Sequence, residues 1–135
     1  MRFAKIVFIV AGIWGIVVLT PFYWLVDVTG RAYDPPTAYP HFFYGFVAVA
    51  LAWQIAFLVI GSNPARFRVF MIPAMIEKFG YVATLAVLHG QGRIAEVDAT
   101  PALPDGLLGL LFIVAFVKTR GASSRRKSDA RTVTS

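Results

Sequence analysis

The chain has no cysteine. That absence removes disulfides, thiolate zinc sites, iron–sulfur clusters and thiol nucleophiles together, and it leaves the redox compartment unmarked. Charge is also scarce: 15% of the 135 residues are charged against 58% hydrophobic, which is not the make-up of an ordinary soluble domain. Neither G-x-G-x-x-G nor the P-loop pattern occurs, so no nucleotide-binding fingerprint is present. Histidine is limited to two residues, with no H-x-x-H or E-x-x-H spacing that would suggest a metal site on one helix.

What the chain does have is four apolar runs, each close to the ~20 residues needed to cross a ~30 Å hydrocarbon layer. Together they leave only short loops and a tail, with no room for a folded domain outside the bilayer. The first, Ile6 to Val26, is free of charge and ends on Phe22, Tyr23 and Trp24, which read as an interfacial aromatic belt. A basic start before an apolar stretch is also the layout of a secretory signal, but this run is too long and no A-x-A-like site closes it. Pro21 should kink the helix or loosen its last turn. Phe42 to Gly61 is the second run, and Gly61, Ser62, Asn63 and Pro64 then form a tight turn. Val69 to His89 is the third, best read as one continuous helix although Glu77 and Lys78 interrupt it, because neither half is long enough to cross alone. In the fourth, only Gly106 to Val117 is charge-free. Thr100 is expected to cap it with Pro101 at the first helical position; an alternative start puts Pro104 there and Asp105 in the first turn.

The expected fold is therefore all-α: an integral membrane four-helix bundle of up-down-up-down topology, with helices at about 4–26, 41–61, 68–89 and 102–119. With the N-terminus cytoplasmic, Arg2, Lys5, Arg66, Arg68, Lys118, Arg120, Arg125, Arg126, Lys127 and Arg131 lie inside, and the outer loops hold only Arg31 and Arg93. That bias predicts both termini on the cytoplasmic side of the inner membrane. Residues 120–135 are too polar to bury a core and are expected to form a disordered basic cytoplasmic tail. The net charge of +6 thus points to the lipid bilayer, with Arg125, Arg126 and Lys127 at anionic headgroups, and not to nucleic acid. Helix seams are expected at Ala11 and Gly15, at Gly45, Ala48, Ala52 and Ala56, and at Gly106 and Gly109, where small residues let backbones approach.

Glu77 and Lys78 fall near the middle of the third run, where a charge costs ~2.5–3.5 kcal/mol on insertion scales. Glu77, Tyr81 and Thr84 share a helical face above Ala74, and Gln54 on the second helix comes to within about 3 Å of the depth of Glu77 at 1.5 Å rise per residue. A Gln54–Glu77 hydrogen bond is geometrically available, and Lys78, pointing away, is expected to pair elsewhere or snorkel along its stem. Two readings stand side by side. In one, Glu77 with Lys78, Gln54, Tyr81 and Thr84 carries a proton, a cation or acid–base chemistry on a lipophilic molecule. In the other, the same residues clasp helices in an accessory or self-associating bundle, with a second copy or another membrane protein as partner. A second cluster, Asp27, His41, His89 and Asp105, gathers helix ends on the outer side; cap and interface roles explain these residues more simply than a metal. Serine hydrolysis does not fit, since Ser62 and the tail serines lie opposite both histidines. No metal or cofactor is expected, and the sequence designates no catalytic residue beyond that open reading of Glu77.

Tyr44-Gly45-Phe46, Trp53-Gln54, Gly61 with Pro64, Arg66 and Arg68, and Glu77-Lys78 with Tyr81 give residues 42–118 a resemblance to small four-pass bacterial membrane proteins, DoxX-like in size and layout. The resemblance implies a four-helix membrane fold and brings no catalytic residue with it. Small multidrug exporters also have four helices and a glutamate, but theirs lies in the first helix and their dual-topology members lack a strong lysine and arginine bias; this chain departs on both counts. A sterol-isomerase-like bundle would need acids, histidine and tryptophan on one cavity, of which Glu77 with Trp53 is the only hint.

Overall fold

The computed structural model describes residues 1–24 and 40–133, with the side chains of residues 122–124, 126 and 127 left aside. Helix α1 is Arg2–Leu19 and α2 is Pro40–Ser62; a 3-10 turn, Arg68–Phe70, leads into α3, Met71–Gly90. A single short turn of helix, α4 (Glu96–Ala99), precedes α5 (Ala102–Lys118), and α6 is Arg120–Thr132. No strand occurs among the described residues. Four stretches, Arg2–Trp24, Pro40–Ser62, Arg68–Gly90 and Glu96–Lys118, are each 23 residues long and apolar enough to cross a membrane. At 1.5 Å per residue each reaches about 34 Å.

The ends of these helices follow from their sequence. Pro21 has no N–H to offer Val17, so the first helix closes at Leu19 and the chain turns at Thr20, whose hydroxyl donates back to the Ile16 carbonyl at 2.6 Å. Gly61 stays inside α2 and is buried against Ile9, so the turn begins two residues later than expected, at Asn63. There the Asn63 side chain accepts from the Arg66 N–H at 3.2 Å. Thr100 does not cap the fourth span: its hydroxyl donates to the Val97 carbonyl of α4 at 2.6 Å, and Pro101 stands at the cap without a side-chain bond. Asp105 does lie in the first turn of α5. At the other end, the Arg68 guanidinium donates to the Phe116 carbonyl at 3.2 and 3.3 Å and stacks 3.8 Å over its ring, closing the last turn of α5.

Helix α1 is central. It packs along α2 and against α5, while α3 packs against α5 and touches α2 only lightly. Sequential spans are thus not all neighbours, and the physical reason is side-chain size. The α1–α2 seam has Gly12 under the Gln54 carbonyl and Leu58, Gly15 under the Gln54 side chain, and Gly61 under Ile9. Between α2 and α3 stand rings instead: Phe46 on Tyr81, centroids 6.1 Å apart, and Phe57 beneath Lys78. Of the expected small-residue seams, Ala11, Gly15 and Gly109 are buried, the last against Phe79. Gly45, Ala48 and Ala52 are exposed; the packed face of α2 is Val47, Ala50, Gln54, Phe57 and Ile60.

Inside, the bundle is filled at one end only. Phe8, Phe57 and Phe112 meet from three helices, with Phe8 stacked on Phe112 at 4.2 Å and Phe57 edge-on to Phe112 at 5.0 Å, among Ala4, Ala11, Met71, Ala74 and Ala115. Outside, the molecule is apolar: Val10, Val17, Ile55, Ile76, Leu107 and Leu110 all face outward. Such a surface suits hydrocarbon and would drive aggregation in water.

The tail departs from expectation, since residues 120–132 are helical. Arg, Ala and Lys are sound helix formers, no proline intervenes, and a segment that follows a formed helix starts beside an existing nucleus.

Candidate functional site

Above the phenylalanine core the four spans separate around a cavity of about 500 Å³. Its walls come from the second half of α1 (Trp14, Val18), the stretch of α2 from Phe46 to Gln54, and the first turns of α5 (Pro104, Leu108), so it occupies the end of the bundle away from both termini. Just past the end of α1, aromatic rings pair with those at the start of α2 there, Phe22 with Phe43 and Tyr23 with Tyr44.

The charged groups of the cavity lie on α3 and α5. Lys78 is the most buried of them, its side chain 5% exposed. It lies on the inward stripe Met71–Ala74–Lys78, spaced by three and four residues, so the register of α3 carries its stem into the bundle. Its ammonium donates to Asp105 Oδ1 at 3.2 Å, stands 3.4 Å from Glu77 Oε2, and lies 5.2 Å from the centroid of the Phe57 ring. Two carboxylates therefore share one ammonium on the boundary between packed core and cavity. The Asp105 carboxylate gains a further partner in the positive end of α5, whose first turn it occupies. Glu77 is served less well. Its Oε2 is enclosed and accepts no hydrogen bond among the described residues, because the contact with Lys78 has ion-pair distance without hydrogen-bond geometry.

Of the residues singled out from sequence, Glu77, Lys78, Tyr81 and Gln54 all line the cavity. The Gln54–Glu77 hydrogen bond is not formed: Gln54 Nε2 donates to the Ala50 carbonyl at 3.0 Å, and its side chain lies over Gly15. The space left by that glycine draws the amide toward α1 and away from α3. Thr84 is exposed and bonds its own helix at the Gly80 carbonyl, 2.8 Å away, so it stands outside the site. Lys78, expected to point away, is the centre of the cluster.

The outer cluster does not assemble as expected. Asp105 is paired with Lys78, His41 and His89 are exposed, and Asp27 lies outside the described residues. Among the described residues no three of His, Cys, Asp and Glu come together as metal ligands. Asp105 as the partner of Lys78 was open to sequence reasoning. Counted over Glu96–Lys118, Asp105 lies near mid-span, at a depth matching Lys78 in the antiparallel Arg68–Gly90, and a buried lysine requires a carboxylate on a neighbouring helix. Placing the start of the fourth span at residue 102 put Asp105 at the surface and hid the match.

Chemically, the site is an aromatic chamber with an ion triad at its floor. Hydroxyls are limited to Tyr81 and Thr100 among its lining residues, and neither is paired with a base. The arrangement suits binding and orientation of an apolar molecule bearing one polar group. No family model, curated protein or solved structure matches the chain, so its likeness to DoxX-like proteins is one of size and layout.

Proposed function

We propose that this chain is a multi-pass inner-membrane protein, with both termini in the cytoplasm, that binds a lipophilic small molecule in the cavity between its four spans. The cavity itself is the observation that carries this reading. A bundle whose buried charges served only to clasp helices would be closed around Glu77 and Lys78, and here those residues border about 500 Å³ of open space. That volume lies in the 300–1,000 Å³ range of small-molecule sites, and the walls are predominantly aromatic and aliphatic with few polar groups. Orientation rests on the basic residues: Arg2, Lys5, Arg66, Arg68 and Lys118 lie at the packed end, and Arg125 continues the series on α6 toward anionic headgroups. The side chains of Arg126 and Lys127 lie outside the described residues.

The experiment uses tritiated 1-adamantanol, a compact cage with one hydroxyl, and the full chain in phosphatidylcholine nanodiscs. Saturable binding above partition into empty discs is expected, and Ala50→Trp, which projects an indole from the cavity wall, should abolish it. Equal uptake by loaded and empty discs would contradict the reading, as would unchanged binding in Ala50→Trp.

A further inference from the structure

Building on that reading, we infer that the ligand is a cation, an amine or amidine on an apolar body, received by Glu77. The floor of the cavity holds two carboxylates and one ammonium. The ammonium is already engaged: it donates to Asp105 at 3.2 Å, lies against the Phe57 ring, and has a side chain only 5% exposed. An incoming anion would therefore find no uncommitted positive group at the cavity floor among the described residues and would meet two carboxylates, a like-charge approach that interfaces reject. A neutral hydroxyl could donate to the second carboxylate but would bring it no positive charge. A charged N–H brings both, and Glu77, which lines the cavity, has room for it: its Oε2 accepts no hydrogen bond among the described residues.

The walls agree with the floor. Trp14, Phe46, Trp53 and Tyr81 surround the space above Glu77, and the faces of aromatic rings attract cations most strongly where water is excluded. Asp105 and Glu77 divide the work through their surroundings. Asp105 is held by Lys78 and by the start of α5, while Glu77 has only the 3.4 Å ion pair, so an added positive charge gains most beside Glu77.

Three molecules with one cage test this: 1-adamantylamine, 1-adamantanol and 1-adamantanecarboxylate, which at neutral pH are cation, neutral and anion. Each is used to displace tritiated 1-adamantanol from the full chain in phosphatidylcholine nanodiscs, whose zwitterionic surface concentrates neither ion. The amine is expected to bind about tenfold tighter than the alcohol, the added strength of an ionised donor over a neutral one, with the carboxylate weakest. In Glu77→Gln the amine should fall to the level of the alcohol. This charge series on the unaltered protein stands by itself if Glu77→Gln fails to fold, and Asp105→Asn supplies a second variant, in which Lys78 turns to Glu77 and the amine weakens. Equal affinity of the three, or tightest binding of the carboxylate, would overturn the cation inference while leaving the cavity a binding site. Absence of saturable alcohol binding would remove the binding reading and the inference with it.

Discussion

Replacing Lys78 by methionine is expected to lower the stability of the folded bundle by about 3–5 kcal/mol, the largest effect of any single change considered for this molecule. The methionine matches the lysine stem in length and apolar contact, so packing on Phe57 is retained. What disappears is the one positive group, among the described residues, within reach of Glu77 and Asp105, whose side chains are 21% and 19% exposed. Two like charges are then held close together inside the bundle, and one must take up a proton or the helices must part. The triple change Lys78→Met, Glu77→Gln, Asp105→Asn should recover most of the loss, since removing all three charges avoids an uncompensated ion. Unfolding by sodium dodecyl sulfate titration, followed by circular dichroism, measures both. A Lys78→Met protein as stable as the parent would mean that the triad is solvated and the cavity floor is not where the geometry places it.

Gly12→Ala is expected to rank second, with a loss of about 1–3 kcal/mol. A methyl group there would stand 2.8 Å from the Gln54 carbonyl oxygen and 2.7 Å from the Leu58 Cδ2. Leu58 can turn aside, but the carbonyl belongs to a helix backbone, so α1 and α2 must separate along the seam that also seats Gly15 and Gly61. The intrinsic gain of up to about 1 kcal/mol for alanine over glycine in a helix does not offset this. Gly45→Ala supplies the contrast: nothing stands within 4 Å of the added methyl, and a small stabilisation is expected in the same titration. Equal behaviour of the two variants would contradict the assigned faces of α2.

Those faces show where the sequence was informative and where it was not. The four spans are legible because uninterrupted apolar length is a one-dimensional property, and the loosened end of α1 follows from a single missing N–H at Pro21. The packed face of α2 is another matter. In water, apolar residues mark the inner side of a helix, but in a chain whose outer surface is also apolar that contrast vanishes. The row Gly45, Ala48, Ala52 and Ala56 has the spacing of a seam, yet its first three members are exposed; Val47, Gln54 and Phe57 form the contact because Gly12 and Gly15 on α1 accept larger partners. Small residues on one helix complement large ones on the next, and one helix alone does not say which role it takes.

The site was half legible for a related reason. Charges inside a span identify themselves, so Glu77 and Lys78 were unmistakable. Their partners depended on depth and rotation of other helices. Asp105 came into place only when the turn at Glu96–Ala99 and the bend through Thr100 and Pro101 lengthened the fourth span, and Gln54 left it when the space over Gly15 took up its amide. Trp53 on the same cavity as Glu77 was visible as a hint, whereas Trp14, far away in sequence, had no local signal to connect it with the cavity.

Because the chain contains no cysteine, single cysteines placed along it report accessibility without background, and this is the most direct test of a four-span bundle that is solid at one end and hollow at the other. A membrane-impermeant thiol reagent added to intact cells should modify Arg93→Cys and should reach Arg66→Cys only after lysis. A small permeant reagent should modify Leu108→Cys in the cavity wall, more slowly when 1-adamantylamine is present, and should leave Ala115→Cys in the packed core unmodified. The account is contradicted if Leu108→Cys is as inert as Ala115→Cys, or if Arg66→Cys reacts from outside.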